Sequence, residues 1–142
     1  LTLLVDTSVW SLALRRDAPA LVPQMAALQE ALASSAQIVT TGLILQELLQ
    51  GFSGAKAQEQ IIEHFAAFGL LQPDRQDHIA AARLRNTCRR AGVQIGTIDA
   101  LLAQLCIRHK LTLLTTDQDF THAALHCPLK VWTPSASTSR KR

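Results

Sequence analysis

Four acidic residues, Asp6, Glu47, Asp99 and Asp117, stand at positions where one fold could gather them. Asp6 ends the largely apolar run Leu1-Thr2-Leu3-Leu4-Val5, and Asp117 follows soon after Leu111-Thr112-Leu113-Leu114. Such runs suit strands covered on both faces, and open α/β sheets place ligands beyond the carboxyl ends of their strands. Asp99 lies in the first turn of an amphipathic segment, and Glu47 on the polar side of another. Each has an ordinary explanation alone: the helix dipole favours an acid at a helix start, and a Glu on a polar helix face is normally solvated. Brought together, carboxylates repel and raise one another's pKa, which a fold tolerates mainly when a hard cation neutralises them. Oxygen-only donors with bound water suit Mg2+ or Mn2+. An ion so held activates water and stabilises a phosphate under attack.

The elements that must position these acids alternate along the chain. Strands are expected over 1–5, 37–41, 69–71, 111–115 and 129–132. A short helix over 9–14 follows the first strand, with Thr7 or Ser8 as its cap. A second, with Pro19 and Pro23 near its start, carries Leu21, Met25, Leu28 and Leu32 at helical spacing. The helix over 43–50 presents Ile44, Leu45, Leu48 and Leu49 inward, and Gly51 closes it as a left-handed residue. Further helices are expected over 56–68 and from Pro73-Asp74 to about 91, the latter burying Ile79, Ala82, Leu84 and Cys88. Ile98, Leu101, Leu102, Leu105 and Cys106 then mark the cleanest amphipathic helix, capped by Thr97. Alternating strands and helices imply an α/β fold, a central mostly parallel sheet with helices on both faces. In it the strand ends bearing Asp6 and Asp117 and the helix start bearing Asp99 share one edge, while Glu47 joins them only if its polar face turns inward.

Composition narrows the possibilities. A 142-residue chain that is 48% hydrophobic forms one packed domain. No apolar run approaches the roughly 20 residues that span a bilayer, and no charged-then-apolar leader opens the sequence, so a cytoplasmic protein without a membrane partner is expected. Cys88, Cys106 and Cys127 are odd in number and widely spaced, as for reduced thiols rather than a disulfide framework. Of 14 basic residues three end the chain as Arg140-Lys141-Arg142, and the remaining 11 match the 11 acids. The body is therefore neutral, and 134–142 reads as a disordered basic tail after a domain over 1–133. Arg83, Arg85, Arg89 and Arg90 give one helix a basic surface, either simply solvated or a strip for nucleic-acid phosphates.

Four blocks carry a resemblance: Leu-Val-Asp-Thr-Ser-Val-Trp at 4–10, Thr-Thr-Gly-Leu-Ile-Leu-Gln-Glu-Leu-Leu-Gln-Gly at 40–51, Ile-Gly-Thr-Ile-Asp-Ala-Leu-Leu-Ala at 95–103 and Leu-Thr-Leu-Leu-Thr-Thr-Asp-Gln-Asp-Phe at 111–120. In this order they resemble PIN-domain ribonucleases, most closely the VapC-type toxins of bacterial toxin–antitoxin pairs. The resemblance spans the chain to about Trp132. It implies a PIN fold and a Mg2+- or Mn2+-dependent endoribonuclease acting on RNA. It also implies a small VapB-type antitoxin that covers the site, and a toxin homodimer. Asp6, Asp99 and Asp117 would hold the metal, with Glu47 as the acid of the helix, Thr7 and Thr115 supporting by hydrogen bonds, and Asp119 either a further acid or a helix cap. Thr116 stands where many relatives carry Arg or Asn.

Other readings remain open on the residues alone. A solitary PIN-type RNA-processing nuclease would share all four acids. A phosphate-handling hydrolase or phosphoacceptor domain would also place Asp6 after its first strand. The phosphatases of that kind want an acid where this chain has Ser8, and both classes need a late Lys, whereas Lys110 precedes a strand. A zinc module could draw on His122, His126 and Cys127, but no upstream ligand pair has suitable spacing. A PIN scaffold that binds without cutting is disfavoured by the presence of all four acids.

Overall fold

The computed structural model describes residues 1–15 and 22–134. The expectations for Pro19, Leu21 and most of the basic tail fall outside the described residues. The element order is β1 (Thr2–Val5), α1 (Thr7–Leu14), α2 (Pro23–Ala33), β2 (Gln37–Thr41), α3 (Gly42–Gly51), α4 (Ala55–Phe65), β3 (Gly69–Leu71), α5 (Arg75–Arg90), α6 (Thr97–His109), β4 (Thr112–Leu114), α7 (Gln118–Ala123) and β5 (Lys130–Val131). All five expected strands form, several shorter by a residue or two.

The strands make one sheet in the order β3-β2-β1-β4-β5, and every neighbouring pair is parallel. From β1 the chain steps outward through β2 to β3, then crosses back to β4 and outward to β5. Right-handed crossovers place α1 to α4 on one face and α5 to α7 on the other. The packing agrees: α1 lies on α2 and α3, α3 on α4, and α5 runs along α6. The direction of winding reverses between β1 and β4, which leaves a crevice beyond their carboxyl ends. Leu3, Leu4, Val5, Leu113 and Leu114 are sealed in the core beneath it.

Helix α6 is buried almost all round, through Ala100, Leu101, Leu102, Ala103, Leu105 and Cys106. Its small residues allow close approach, and Ala100 meets Ala81 and Ala82 of α5 around one hollow. The expected stripe holds except for Ile98, which is 42% exposed beside that hollow. In α5 the buried line is Asp77, Ala81, Leu84 and Cys88, not Ile79 and Ala82, which lie outward. A capping box at Asp74 and Asp77 sets its start. Asp77 is only 1% exposed and receives Gln104 and Arg108 from α6. Burial works to raise its pKa, but the Asp74 N–H, Gln104 and the Arg108 guanidinium outweigh that and hold it below the usual value.

The expected helix ends differ in three places. Gly51 is the last residue of α3 and is not left-handed; the positive φ angles belong to Gly92, after α5, and Lys110, after α6. Gly96, not Thr97, is the residue before α6, and it offers no side-chain cap. Neither Thr7 nor Ser8 caps α1; both lie within it and their hydroxyls turn elsewhere. All three cysteines are free, as expected. No described helix is long and apolar enough to cross a membrane.

Candidate active site

Asp6 sits at the end of β1 and is 6% exposed. Its N–H donates to the Leu114 carbonyl at 2.9 Å, so the β1–β4 ladder runs up to the carboxylate itself. Ser8 Oγ and Thr115 Oγ1 both donate to its Oδ2, each at 2.8 Å. The turn after β4 is held by the same hydroxyls. Thr116 N–H donates to Ser8 Oγ at 3.1 Å, and Asp117 N–H to Thr115 Oγ1 at 3.0 Å. Asp117 precedes α7 and accepts from Asp119 N–H at 2.9 Å, so Asp117 is the cap of that helix and Asp119 lies exposed in its first turn.

Glu47 is turned inward as the grouping requires. Thr7 Oγ1 donates to Glu47 Oε1 at 2.8 Å, bridging the start of α1 to the middle of α3. Gln46 and Gln50, which share the polar side of α3 in a helical projection, are exposed, while Glu47 is half-buried. Asp99, in the first turn of α6, completes the group. Its carboxyl is pushed up to about 6, first by burial and then by the negative charges of Asp6, Asp117, Glu47 and Asp119. Four acids from three other parts of the chain thus act on Asp99. Burial and the Asp6 charge also push the Cys106 thiol up to about 12, so this thiol is inert beneath the site.

Two features let the fold hold these acids. Asp6, Asp99 and Asp117 each lie at the start of a helix, where the dipole favours negative charge. Hydroxyls and backbone N–H groups satisfy part of Asp6, Glu47 and Asp117. Among the described residues the ion pairs are those of Arg108 with Asp74 and Asp77, and none reaches the five acids. The all-oxygen donor set therefore fits a hard divalent ion. No three His, Cys, Asp or Glu side chains among the described residues gather at ligand spacing, His122, His126 and Cys127 included.

The four arginines of α5 do not form one strip. At about 100° per residue, Arg83 and Arg90 fall on one flank of the buried line and Arg85 and Arg89 on the other. Arg85 Nε donates to the Ile95 carbonyl at 2.8 Å. With His78, Leu43, Thr97 and Ile98 it lines a hollow of about 200 Å³ between α5 and the start of α6. Ser8 is the residue that reading the sequence missed: its place after Asp-Thr suggested a helix cap, and only the return of β4 beside β1 shows its partners.

The PIN domain family model matches residues 3–125, and the chain belongs to that family. No curated protein matches it significantly. Solved structures with the same fold include FitAcB from Neisseria gonorrhoeae, at 20% identity and a TM-score of 0.69 over 94% of this chain and 99% of that one. VapBC2 from Rickettsia felis, bound to a DNA fragment from its promoter, matches at 21% identity and 0.70, over 93% and 98%. VapC20 of Mycobacterium tuberculosis, described as a Sarcin-Ricin loop cleaving toxin, matches at 16% and 0.65, over 85% and 94%.

Proposed function

We propose that this protein is a metal-dependent endoribonuclease of the VapC type, the toxin of a toxin–antitoxin pair. The observation that carries the reading is the shared field of Asp6, Glu47, Asp99, Asp117 and Asp119 at the β1/β4 crevice, with no protein cation paired to it among the described residues. Family membership and the fold's likeness to structures described as a toxin-antitoxin complex and as a member of the VapBC family of toxin-antitoxin systems support it.

In this reading Asp6, Asp99 and Asp117 would hold Mg2+ or Mn2+, directly or through bound water. When bound, the ion supplies charge stabilisation at the phosphate and lowers the pKa of water. The chain's own part is orientation and proton handling. Asp6 is fixed by Ser8 and Thr115, and Thr7 fixes Glu47 through Oε1, leaving Oε2 to accept a proton from the attacking water. The water oxygen bonds to phosphorus in line as the bond to the 3′-oxygen breaks, and solvent returns a proton to that oxygen. The arginine pair Arg85 and Arg89 flanks the approach to Asp99 and supplies phosphate contacts.

The partner follows from the charge of the site: a small antitoxin that covers the crevice would bring cationic side chains to it. One structure of the same fold is described as a toxin-antitoxin complex from Klebsiella pneumoniae. A homodimer of toxins belongs to the same proposal. The test is cleavage of total cellular RNA by the purified protein with Mg2+ or Mn2+, against chelator and against Asp6→Asn. Metal-dependent cutting that Asp6→Asn abolishes is expected. Equal cutting by Asp6→Asn, with contaminating nuclease excluded, overturns the assignment.

A further inference from the structure

Ser8 Oγ and Thr115 Oγ1 commit their protons to the same oxygen, Oδ2 of Asp6. A hydroxyl has one proton to give. The 3.3 Å approach of Ser8 Oγ to Thr115 Oγ1 is then a contact between acceptors rather than a further bond. Each hydroxyl accepts in turn, Ser8 from Thr116 N–H and Thr115 from Asp117 N–H. Two parallel relays therefore run from backbone N–H through hydroxyl to carboxylate, from the turn after β4 into the end of β1. Hydrogen bonds that end on a charge are the strong ones.

The other oxygen is left open. Among the described residues no hydrogen bond ends on Asp6 Oδ1, and Oδ1 is not among the sealed, unpartnered atoms of the interior. Asp6 thus has one oxygen held by the protein and one turned to the crevice. Thr115 alone could hold Oδ2, but it follows β4 and ties Oδ2 only to the N–H of Asp117. Ser8 comes from α1 and is the side chain that ties Asp6 to the backbone at Thr116. Without it the torsion about the carboxyl group of Asp6 is broad and soft, and Thr116 N–H loses its acceptor.

We propose that Ser8 is a positioning residue: it fixes which oxygen Asp6 presents to the divalent cation and sets the separation of Asp6 from the turn that carries Asp117. The proposal rests on the metal-dependent reading above. Its chemistry is that of outer-shell partners, which orient a ligand without touching the ion and whose loss weakens metal binding by 10- to 100-fold.

The test titrates Mn2+ alone, by electron paramagnetic resonance, into the full chain as wild type, Ser8→Ala, Ser8→Cys, Ser8→Thr and Asp6→Asn, with metal-free melting measured alongside. Ser8→Ala and the size-matched Ser8→Cys are expected to bind Mn2+ at least about tenfold more weakly. Their metal-free melting should stay close to wild type, and Ser8→Thr, which keeps the hydroxyl, should recover most of the affinity. Wild-type affinity in Ser8→Cys overturns the proposal, as does a loss that Ser8→Thr shares in full. If wild type binds no Mn2+, or Asp6→Asn binds it equally well, the metal-site reading itself falls and the role of Ser8 with it. If wild type binds, Asp6→Asn does not and Ser8→Ala matches wild type, only the role of Ser8 falls.

Discussion

Thr7 Oγ1 donates to Glu47 Oε1 at 2.8 Å, and this bond between residues 40 positions apart turns the one acid that lies mid-helix toward the others. Glu47 has no helix start beneath it to favour its charge, so its orientation depends on α1 packing against α3. Thr7→Val keeps the shape and removes the donor. Activity should fall about tenfold, as for loss of a partner that orients a reacting carboxylate, while Thr7→Ser stays near wild type. Steady-state cleavage of a short RNA measures both, and an unchanged rate in Thr7→Val would show that Glu47 needs no such support.

Asp99 makes the metal-free protein sensitive to pH in an unusual direction. Its carboxyl is raised from 3.8 to about 6, so the folded state holds its proton more tightly than the unfolded chain does. The resulting stability is fully present below pH 3.8 and is lost as pH rises through about 6. Asp99→Asn removes the repulsion, and above pH 6 it should stabilise the metal-free protein by about 1 kcal/mol, the full shift being discounted because the half-open position is screened by solvent. Chemical denaturation from pH 4 to 8 reads this as a gap between variant and wild type that opens with pH. Saturating Mg2+ should close or reverse it, because the ion binds only the folded site.

How far the sequence reveals the site depends on whether local or distant chemistry sets each residue. Asp6 and Asp117 are legible because an apolar strand ending in an acid points to the sheet edge, and Asp99 because a clean amphipathic period dates the helix start. Glu47 is not: its inward turn is made by Thr7, and a helical projection groups it with Gln46 and Gln50, both exposed. Resemblance identified it where periodicity could not. Asp77 carries no sequence signal of its burial, which follows from Arg108 and Gln104 arriving from the next helix. Ile98 fits the stripe of α6 but opens onto the hollow beside α5. In each case the missing information is a partner far away in the chain.

The split of the α5 arginines gives a substrate-binding test. Arg85 lines the hollow beside Thr97 and Ile98 at the start of α6, and Arg89 is one turn further on the same flank. Arg83 and Arg90 lie on the opposite flank. The double variant Arg85→Gln with Arg89→Gln should weaken RNA binding to a cleavage-deficient Asp6→Asn background several-fold. It should also reduce the salt dependence by about 1.4 units of slope, near 0.7 for each of the two lost phosphate contacts on a single strand. Arg83→Gln with Arg90→Gln should change neither. Fluorescence anisotropy across a salt series separates the two, and equal effects from both pairs would mean that α5 acts only through its general charge.

Asp77 supplies the opposite pH linkage from Asp99, at a distance from the chemistry. Its carboxyl is held below 3.8 in the folded state, where the Asp74 N–H, Gln104 and the Arg108 guanidinium overcome the cost of burial. The stability it adds is therefore present above pH 3.8 and is lost as pH falls below that value. Arg108 is 41% exposed on its side chain, so the pair is only partly shielded and is worth less than a sealed one. Asp77→Ala also removes the capping box of α5 and leaves Gln104 without its acceptor. Its cost at neutral pH should be about 2 kcal/mol. Denaturation curves should show that deficit shrinking below pH 4, where wild type loses the same interactions by protonation. Mn2+ affinity at neutral pH should remain within about twofold of wild type, because Asp77 ties α5 to the far end of α6 while Asp99 sits at its start. A loss of metal binding in a folded Asp77→Ala would show instead that the α5–α6 clamp sets the position of Asp99.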